Sequence, residues 1–338
     1  MHGDAEGGQA PAVLLVRRTD SVDIRLQLER AAGLVQRARE ALVVDDAAGA
    51  ARALALSSEA ITLAPSSADA FLERSRAHLA VFRRDSAALA ARDQCIRDAR
   101  RAAFMKPASW RCALQLSRAH VAAGELDEGL RALGEAEALA RADAEGESAA
   151  ELAFTLEDQR GRLQLEQGKA AKARGTVEQA WMWLLADAVT SLDRALAAKP
   201  RSADTLNNRG VAYYEARAYA PALADFEAAL RVDAAHDRAL SNRALVQRLR
   251  RELHAAHASL SAAIAHNPAS AVSFNNLGCI ERDLGRLPAA LLSFERAAEM
   301  DSAYEQARTN RDTVLSELRH PVPIRPVADV PLPPQASR

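Results

Sequence analysis

Four asparagines, Asn208, Asn242, Asn276 and Asn310, recur at intervals of 34 residues, and Asn207 and Asn275 double two of them. A carboxamide carries two N–H donors and a carbonyl acceptor, so a row of them at one stride can satisfy both backbone groups of an extended polypeptide. That is recognition chemistry, and the groups needed for catalysis do not accompany it. His254 and His257 stand three apart, with no carboxylate or cysteine completing a metal set, and read as an exposed helix face. The stretch EQGKAAK contains Gly168 and Lys169 but lacks the earlier glycine and the following Ser or Thr of a phosphate-binding loop. Asp45 and Asp46 are adjacent and so point to different faces of any helix. No GxSxG, HExxH or kinase signature occurs. The expectation is a protein that is not an enzyme and uses no cofactor or metal.

A unit of fixed length must position those carboxamides. Gly210, Ala244 and Gly278 are spaced 34 apart, as are Ala222, Ala256 and Ala290, then Phe226, Leu260 and Phe294, then Ala229, Ala263 and Ala297. Small residues at such offsets let two helix backbones approach, and the large apolar residue fills the space beside them. Pro221 and Pro288 suit the first turn of a second helix, where a missing N–H does no harm. Ser202, Ser270 and Ser302 read as helix caps, Ser302 with Glu305 as a capping box. Three regular units follow: 203–236, 237–270 and 271–304. Tyr213, Tyr214 and Tyr219 read as packing within the first of them.

The same pattern runs upstream with more drift. Units are expected at 34–67, 68–109 (with about eight residues inserted near Arg83 to Ala91) and 110–143. Gly161 to Gly210 is 49 residues, 15 more than the stride, so 144–202 reads as an irregular unit plus a half-repeat from about 185, with Trp181 and Trp183 at the seam. Residues 1–19 are Gly-rich and expected to be disordered, and Asp20 to Val44 should form a long leading helix. Residues 305–318 look like a polar capping helix. Residues 319–338 form a Pro-rich disordered tail, whose PxxP spacings at Pro323–Pro326 and Pro331–Pro334 offer weak docking sequences for an SH3 or WW domain.

Small, aromatic and small residues at these offsets, with Pro65, Pro200 and Pro268 closing units, resemble the tetratricopeptide-repeat (TPR) pattern W-x2-L-G-x2-Y, A-x3-F, P. The resemblance covers about 34–318. It implies an all-α, right-handed solenoid of antiparallel helical hairpins, about seven units plus a half unit, whose first helices line a concave face. It therefore implies a peptide-binding groove formed by Asn207, Asn208, Asn242, Asn275, Asn276 and Asn310. Such a ladder is similar to the one in the superhelix of the O-linked N-acetylglucosamine transferase, where asparagines hold the backbone of bound polypeptide. The other reading of the ladder is structural, each Asn bonding to the neighbouring hairpin. Upstream the equivalent positions are Arg39, Glu73, Gln115 and Gln159, so binding is expected in the C-terminal half.

The function implied by this resemblance is a protein-interaction scaffold or adaptor for an extended peptide or partner protein. Three alternatives follow from the same family. One is an accessory subunit presenting substrate to a transferase. Another is a co-chaperone whose carboxylate clamp uses Asn208, Asn242 and Asn276 with Arg209, Arg243 and Arg238, although Asn207 holds the place of the family's clamp lysine. The third is a structural part of a ciliary or transport assembly.

Bulk properties agree with a protein partner. With 44 basic and 45 acidic residues the net charge is −1, which gives no general attraction to nucleic acid or anionic membrane. The basic stretch Arg248 to Glu252 reads as a solvated face. Cys95, Cys112 and Cys279 are far apart and odd in number, which points to a reducing compartment. The N-terminus lacks a secretory pattern and no apolar run is long enough to span a bilayer, so a cytoplasmic location is expected.

Overall fold

The computed structural model describes residues 12–44, 46–85, 87–142 and 149–319. Among them are fifteen α-helices, one short 3-10 turn and no strand. The helices are α1 (Ala12–Ala41), α2 (Ala47–Leu63), α3 (Ala68–Arg84), α4 (Leu89–Met105), α5 (Trp110–Ala123), α6 (Leu126–Ala142), α7 (Ala149–Ala173), α8 (Glu178–Ala198), α9 (Ala203–Glu215), α10 (Tyr219–Val232), α11 (Asp237–Leu249), α12 (Leu253–His266), α13 (Ala271–Asp283), α14 (Leu287–Met300) and α15 (Glu305–Arg319). Consecutive helices pair into seven hairpins, each packed on the next, and α15 closes the array against α14. None of these helices is long and apolar enough to cross a membrane.

One close approach defines each hairpin. A Cβ added to Gly210 would lie 2.6 Å from the Phe226 ring and 3.2 Å from the Ala222 carbonyl oxygen of the facing helix. Gly161 meets Leu192 and the Ala188 carbonyl in the same way, at 2.6 and 3.2 Å, and Gly278 meets the Phe294 ring at 2.7 Å. Where the position holds serine, the hydroxyl donates to the equivalent carbonyl: Ser75 Oγ to Cys95 O at 2.9 Å and Ser117 Oγ to Gly129 O at 2.8 Å. The ring that fills the hairpin also reaches the next one. Phe226 packs with Val246 of α11, Leu260 with Ile280 of α13, and Phe294 with Val314 of α15, every one of them buried. Alanine at 222, 229, 256, 263, 290 and 297 is fully covered, as the spacing predicted.

Caps and turns end the helices where the sequence indicates. Ser67, Ser202 and Ser270 each accept a backbone N–H three residues on. Ser302 does not act as the expected cap, because α15 starts only at Glu305; Asp301 takes the turn instead, its carboxylate accepting from the Ala303 N–H at 2.9 Å. Within hairpins the turn between the two helices needs a left-handed residue. Gly124 and Gly285 supply it at φ 78° and 75°, and Arg217 and Arg251 adopt φ 63° at the same place in their units.

Three boundaries differ from the expectation. The leading helix begins by Ala12, so the part of 1–19 from residue 12 onward is helical, while residues 1–11 and the tail 320–338 lie outside the described residues. The residues inserted near Arg83 to Ala91 lengthen both helices of their hairpin: α3 and α4 have 17 residues each, against 13 and 14 in α9 and α10. No half-repeat exists at 185–202. The extra length is housed in α7 and α8, of 25 and 21 residues. The physical reason is visible in α8, where Trp181, Leu185, Ala188, Leu192 and Ala195 form one unbroken buried stripe with no Gly or Pro to interrupt it. Gly161 and Gly168 both give way to that stripe, meeting Leu192 and Leu185.

The arginines in the left-handed turns give the first prediction. An L-residue there costs about 1–2 kcal/mol, and glycine gives back about 0.5–1 kcal/mol through its freer unfolded chain. Arg251→Gly should therefore raise unfolding stability by about 0.5–1 kcal/mol in urea melts followed by circular dichroism, while Arg250→Gly, at a position of ordinary φ, should lower it.

Candidate functional site

The inner faces of the odd-numbered helices enclose a trough. Its first stretch is a cavity of about 480 Å³ reaching from Arg39 to Arg238. A second, of about 590 Å³, shares Arg83, Arg118, Arg162 and Arg238 with it. A third, of about 370 Å³, shares Lys169 and Asn208 with the second and runs on to Asn276. The solenoid curls far enough for its windings to meet: Asn267, after α12, donates from Nδ2 to the carbonyl of Arg84 at 3.3 Å, across 183 positions of chain. The same Nδ2 lies 2.6 Å from the Asp237 carboxylate.

The six asparagines divide by partner. Asn242 Nδ2 donates to Asn207 Oδ1 at 2.9 Å, and Asn310 Nδ2 to Asn275 Oδ1 at 2.9 Å. Asn275 donates in turn to the Tyr304 hydroxyl at 3.3 Å. These four join one hairpin to the next, and Asn207 and Asn275 are buried by it. Among the described residues, Asn208 and Asn276 have no hydrogen-bond partner. Both line the third cavity, beside Asn207 and Asn242, while Asn275 and Asn310 line none of the three. The residues therefore alternate, one unit's carboxamide bonding backward to its neighbour and the next unit's left unbonded at the trough wall, Asn208 largely buried there and Asn276 partly exposed.

The upstream equivalents make staples of the same kind with different chemistry. Arg39 Nε bonds Glu73 at 3.0 Å, Gln115 Nε2 bonds Ser75 Oγ at 3.0 Å, and Gln159 Nε2 bonds Ser117 Oγ at 3.2 Å. Three residues further along each helix, and so on the same face, stand Arg76, Arg118 and Arg162. This column was missed in the sequence. Its signal is the repeated tetrapeptide Ser-Arg-Ala-His at 75–78 and 117–120, followed by Gly161–Arg162, whereas the later units hold Val211, Leu245 and Cys279 there.

Charge in and around the trough is unevenly compensated. Glu73 is buried between Arg39 and Arg76. Burial alone would raise the pKa of Asp204, but the hydrogen bond from His236 and the charges of Arg238, His236 and Arg83 outweigh it and hold this carboxylate well below its usual range. Arg209 is fully engaged, with Asp225 at 2.7–2.8 Å and Asp193 at 2.7 Å. Arg243 bonds the Ser259 hydroxyl at 3.1 Å and Arg238 bonds Asp204. The three arginines expected in a carboxylate clamp thus all have partners within the array. Arg83, Arg118 and Arg162 have no hydrogen bond or ion pair among the described residues. Burial and the nearby arginines pull Arg118 down to about 10, still a cation at neutral pH.

The remaining candidates fall outside the trough's chemistry. His257 lies 3.7 Å from Glu281, and no group of three or more His, Cys, Asp or Glu among the described residues is placed to hold a metal. Within the basic stretch, Arg248 bonds Asp283 at 2.6 Å and Arg250 pairs with Glu252 at 3.1 Å. Tyr214 and Tyr219 pack with ring centroids 5.8 Å apart. Burial raises all three thiols, Cys95 to about 11, so none is an activated thiolate. The PxxP spacings and Asp45 lie outside the described residues.

A tetratricopeptide-repeat family model matches residues 202–232 and 270–300. Among solved structures, the chain is similar to a chain of the APC/C hetero-tetramer Cut9–Hcn1, with 14% identity and a TM-score of 0.56 over 90% of this chain and 56% of that one. It thus spans little more than half the length of that neighbour, and at such identity the likeness concerns the fold alone. Two further similarities have lower scores. One is to TTC0263, a thermophilic TPR protein of Thermus thermophilus (21% identity, TM-score 0.47, 62% of this chain and 100% of that one). The other is to YrrB, described as a TPR protein with an unusual peptide-binding site (15% identity, TM-score 0.39, 63% and 97%). No curated protein matches the sequence.

The ladder and the Asp204 carboxylate can each be tested by stability. Asn242→Ala leaves the buried Asn207 oxygen without its donor and should cost about 1–3 kcal/mol in urea unfolding, whereas Asn276→Ala, which breaks no bond, should stay within about 0.5 kcal/mol. The lowered pKa of Asp204 means that its stabilising effect is present above the unfolded carboxylate pKa of about 3.9 and is lost as pH falls below it. Thermal melts between neutral and strongly acidic pH should show Asp204→Asn losing less stability on acidification than the unaltered protein.

Proposed function

We propose, from the premise that this chain is a tetratricopeptide-repeat protein, that it is a protein-interaction scaffold holding an extended segment of a partner in its trough, with Asn208 and Asn276 contacting that segment's backbone. The observation that carries this reading is the alternation of the ladder. Asn242 and Asn310 use their N–H groups within the array, while Asn208 and Asn276 keep donors and acceptor unengaged at the wall of a cavity. Carboxamides held two units apart on rigid helices can take backbone groups of a strand-like ligand without selecting its side chains, since every residue offers the same N–H and C=O. The trough runs through adjoining cavities from Arg39 to Asn276, which suits an extended chain better than a compact small molecule. Asn207 and Asn242 support the site by fixing the two hairpins between which Asn208 opens.

Affinity purification of the tagged protein with quantitative mass spectrometry tests this. Asn208→Ala combined with Asn276→Ala should reduce recovery of the partners that the unaltered protein retains, by roughly tenfold if two carboxamide contacts are lost. An unchanged set of partners at unchanged recovery would remove the carboxamides from the binding surface and leave a purely structural assembly role as the better account.

A further inference from the structure

We propose that the middle of the trough, around Arg83, Arg118 and Arg162, is a binding site for the side-chain carboxylates of an acidic peptide segment. This extends the reading of the trough as a polypeptide groove and rests on it.

Local charge points to such a ligand. The cavity of about 590 Å³ is lined by five cationic side chains, Arg83, Arg118, Arg162, Lys169 and Arg238, and by one carboxylate, Glu166. Two of the five have partners: Lys169 bonds Glu166 at 2.9 Å and Arg238 bonds Asp204. The other three have none among the described residues, and Arg118 Nε is buried without an acceptor. Other arginines packed between helices are matched to carboxylates, as Arg74 is to Asp98 at 2.8 Å and Arg160 to Glu137 at 2.5 Å. The lining of this cavity, with a single carboxylate among its cations, is locally short of negative charge. The chain's net charge of −1 does not predict it.

Crowding of the cations points the same way. Arg83 is held well below its usual range, first by burial and then by Arg162 and Arg238, with Asp204 opposing the shift, and Arg118 is lowered by burial and by Arg76 and Arg162, with Asp158 opposing it. Arg83 is nevertheless exposed to the trough, so the cluster is open to a ligand and not sealed in a core. Asp158 and Asp204 act on these cations without bonding to Arg83, Arg118 or Arg162, and cations only partly offset destabilise each other; an entering carboxylate relieves that repulsion while filling planar two-donor forks.

The arginine cavity is also continuous with the carboxamide groove. Asn208 borders both, so a single extended chain can pass from one to the other. A carboxamide's donors and its acceptor both find partners on an amide backbone, whereas a phosphodiester offers acceptors alone, which favours peptide over nucleic acid.

Fluorescence anisotropy with the full chain tests the proposal. Two short labelled peptides of equal length are compared, one alternating glutamate with glycine and serine, the other with glutamine in place of glutamate. The acidic peptide should bind roughly tenfold more tightly, and Arg118→Gln with Arg162→Gln should abolish that preference while Arg118→Lys with Arg162→Lys keeps part of it. Circular dichroism melts check that each variant is folded; removing like charges should not lower stability. Equal binding of the two peptides, both weakened by Asn208→Ala with Asn276→Ala, would overturn the arginine site and leave the carboxamide groove standing. An acidic preference that depends on the arginines but ignores the asparagine variant would support the arginine site and sink the carboxamide reading. Failure of the acidic peptide to bind, or tighter arginine-dependent binding of a short single-stranded RNA, would overturn the proposal.

Discussion

Everything in this array hangs on one close approach per hairpin, where a residue with little or no side chain lets the first helix lie against a carbonyl of the second. Gly161 and Gly210 face Ala188 O and Ala222 O at a distance that a β-carbon would fill, and Ser75 and Ser117 place a hydroxyl on the equivalent carbonyl. A fixed approach fixes the angle and depth at which the two helices cross. It also fixes where the large residue of the second helix emerges, and that residue is what the next hairpin packs against: Phe226 on Val246, Leu260 on Ile280, Phe294 on Val314. The spacing of one contact thereby becomes the spacing of the solenoid, because each unit buries its apolar face only on its neighbours.

A constant stride brings equivalent positions of successive first helices into columns on the inner wall. One column carries the inter-hairpin staple, and its chemistry varies along the chain from an ion pair through Gln–Ser bonds to Asn–Asn bonds. Each version links the first helices of two adjacent hairpins at hydrogen-bond distance, so the chemistry changes while the kind of linkage is kept. The column three residues on turns from arginine in α3, α5 and α7 to apolar or thiol residues in α9, α11 and α13. The trough thus has a cationic middle and a carboxamide end, joined without a break at Asn208.

The treatment of charge follows the same division. On the outer surface, ion pairs such as Arg131–Glu128 and Arg296–Glu299 are exposed and contribute little to stability. Between helices, Arg74–Asp98 and Arg209–Asp225 are shielded and satisfy each other's donors and acceptors. Inside the trough, Arg83, Arg118 and Arg162 stand beside other cations with no ion pair of their own among the described residues. Such an arrangement persists in a stable fold only because the hairpin contacts that hold it are numerous and lie elsewhere.

The repeat, its stride, the helical class, the covered alanines and phenylalanines and the closing helix were legible in the amino acids themselves. They rest on local rules: helix periodicity, small residues where backbones meet, caps and prolines at helix ends, all of which act within about one unit of chain. The asparagine ladder was legible as a spacing, but which of its members bond to neighbours and which open to the trough was not, because Asn207 and Asn242 belong to different hairpins and their meeting depends on how one unit is rotated on the next. The residues between Gly161 and Gly210 suggested an extra half-unit because spacing alone cannot distinguish an added helix from two lengthened ones; the unbroken stripe of α8 against two glycines of α7 decided it. The meeting of the turn after α3 with the end of α12, and the gathering of Arg83, Arg118 and Arg162 inside, came only from tertiary structure, since they follow from curvature summed over several units and no single unit encodes it.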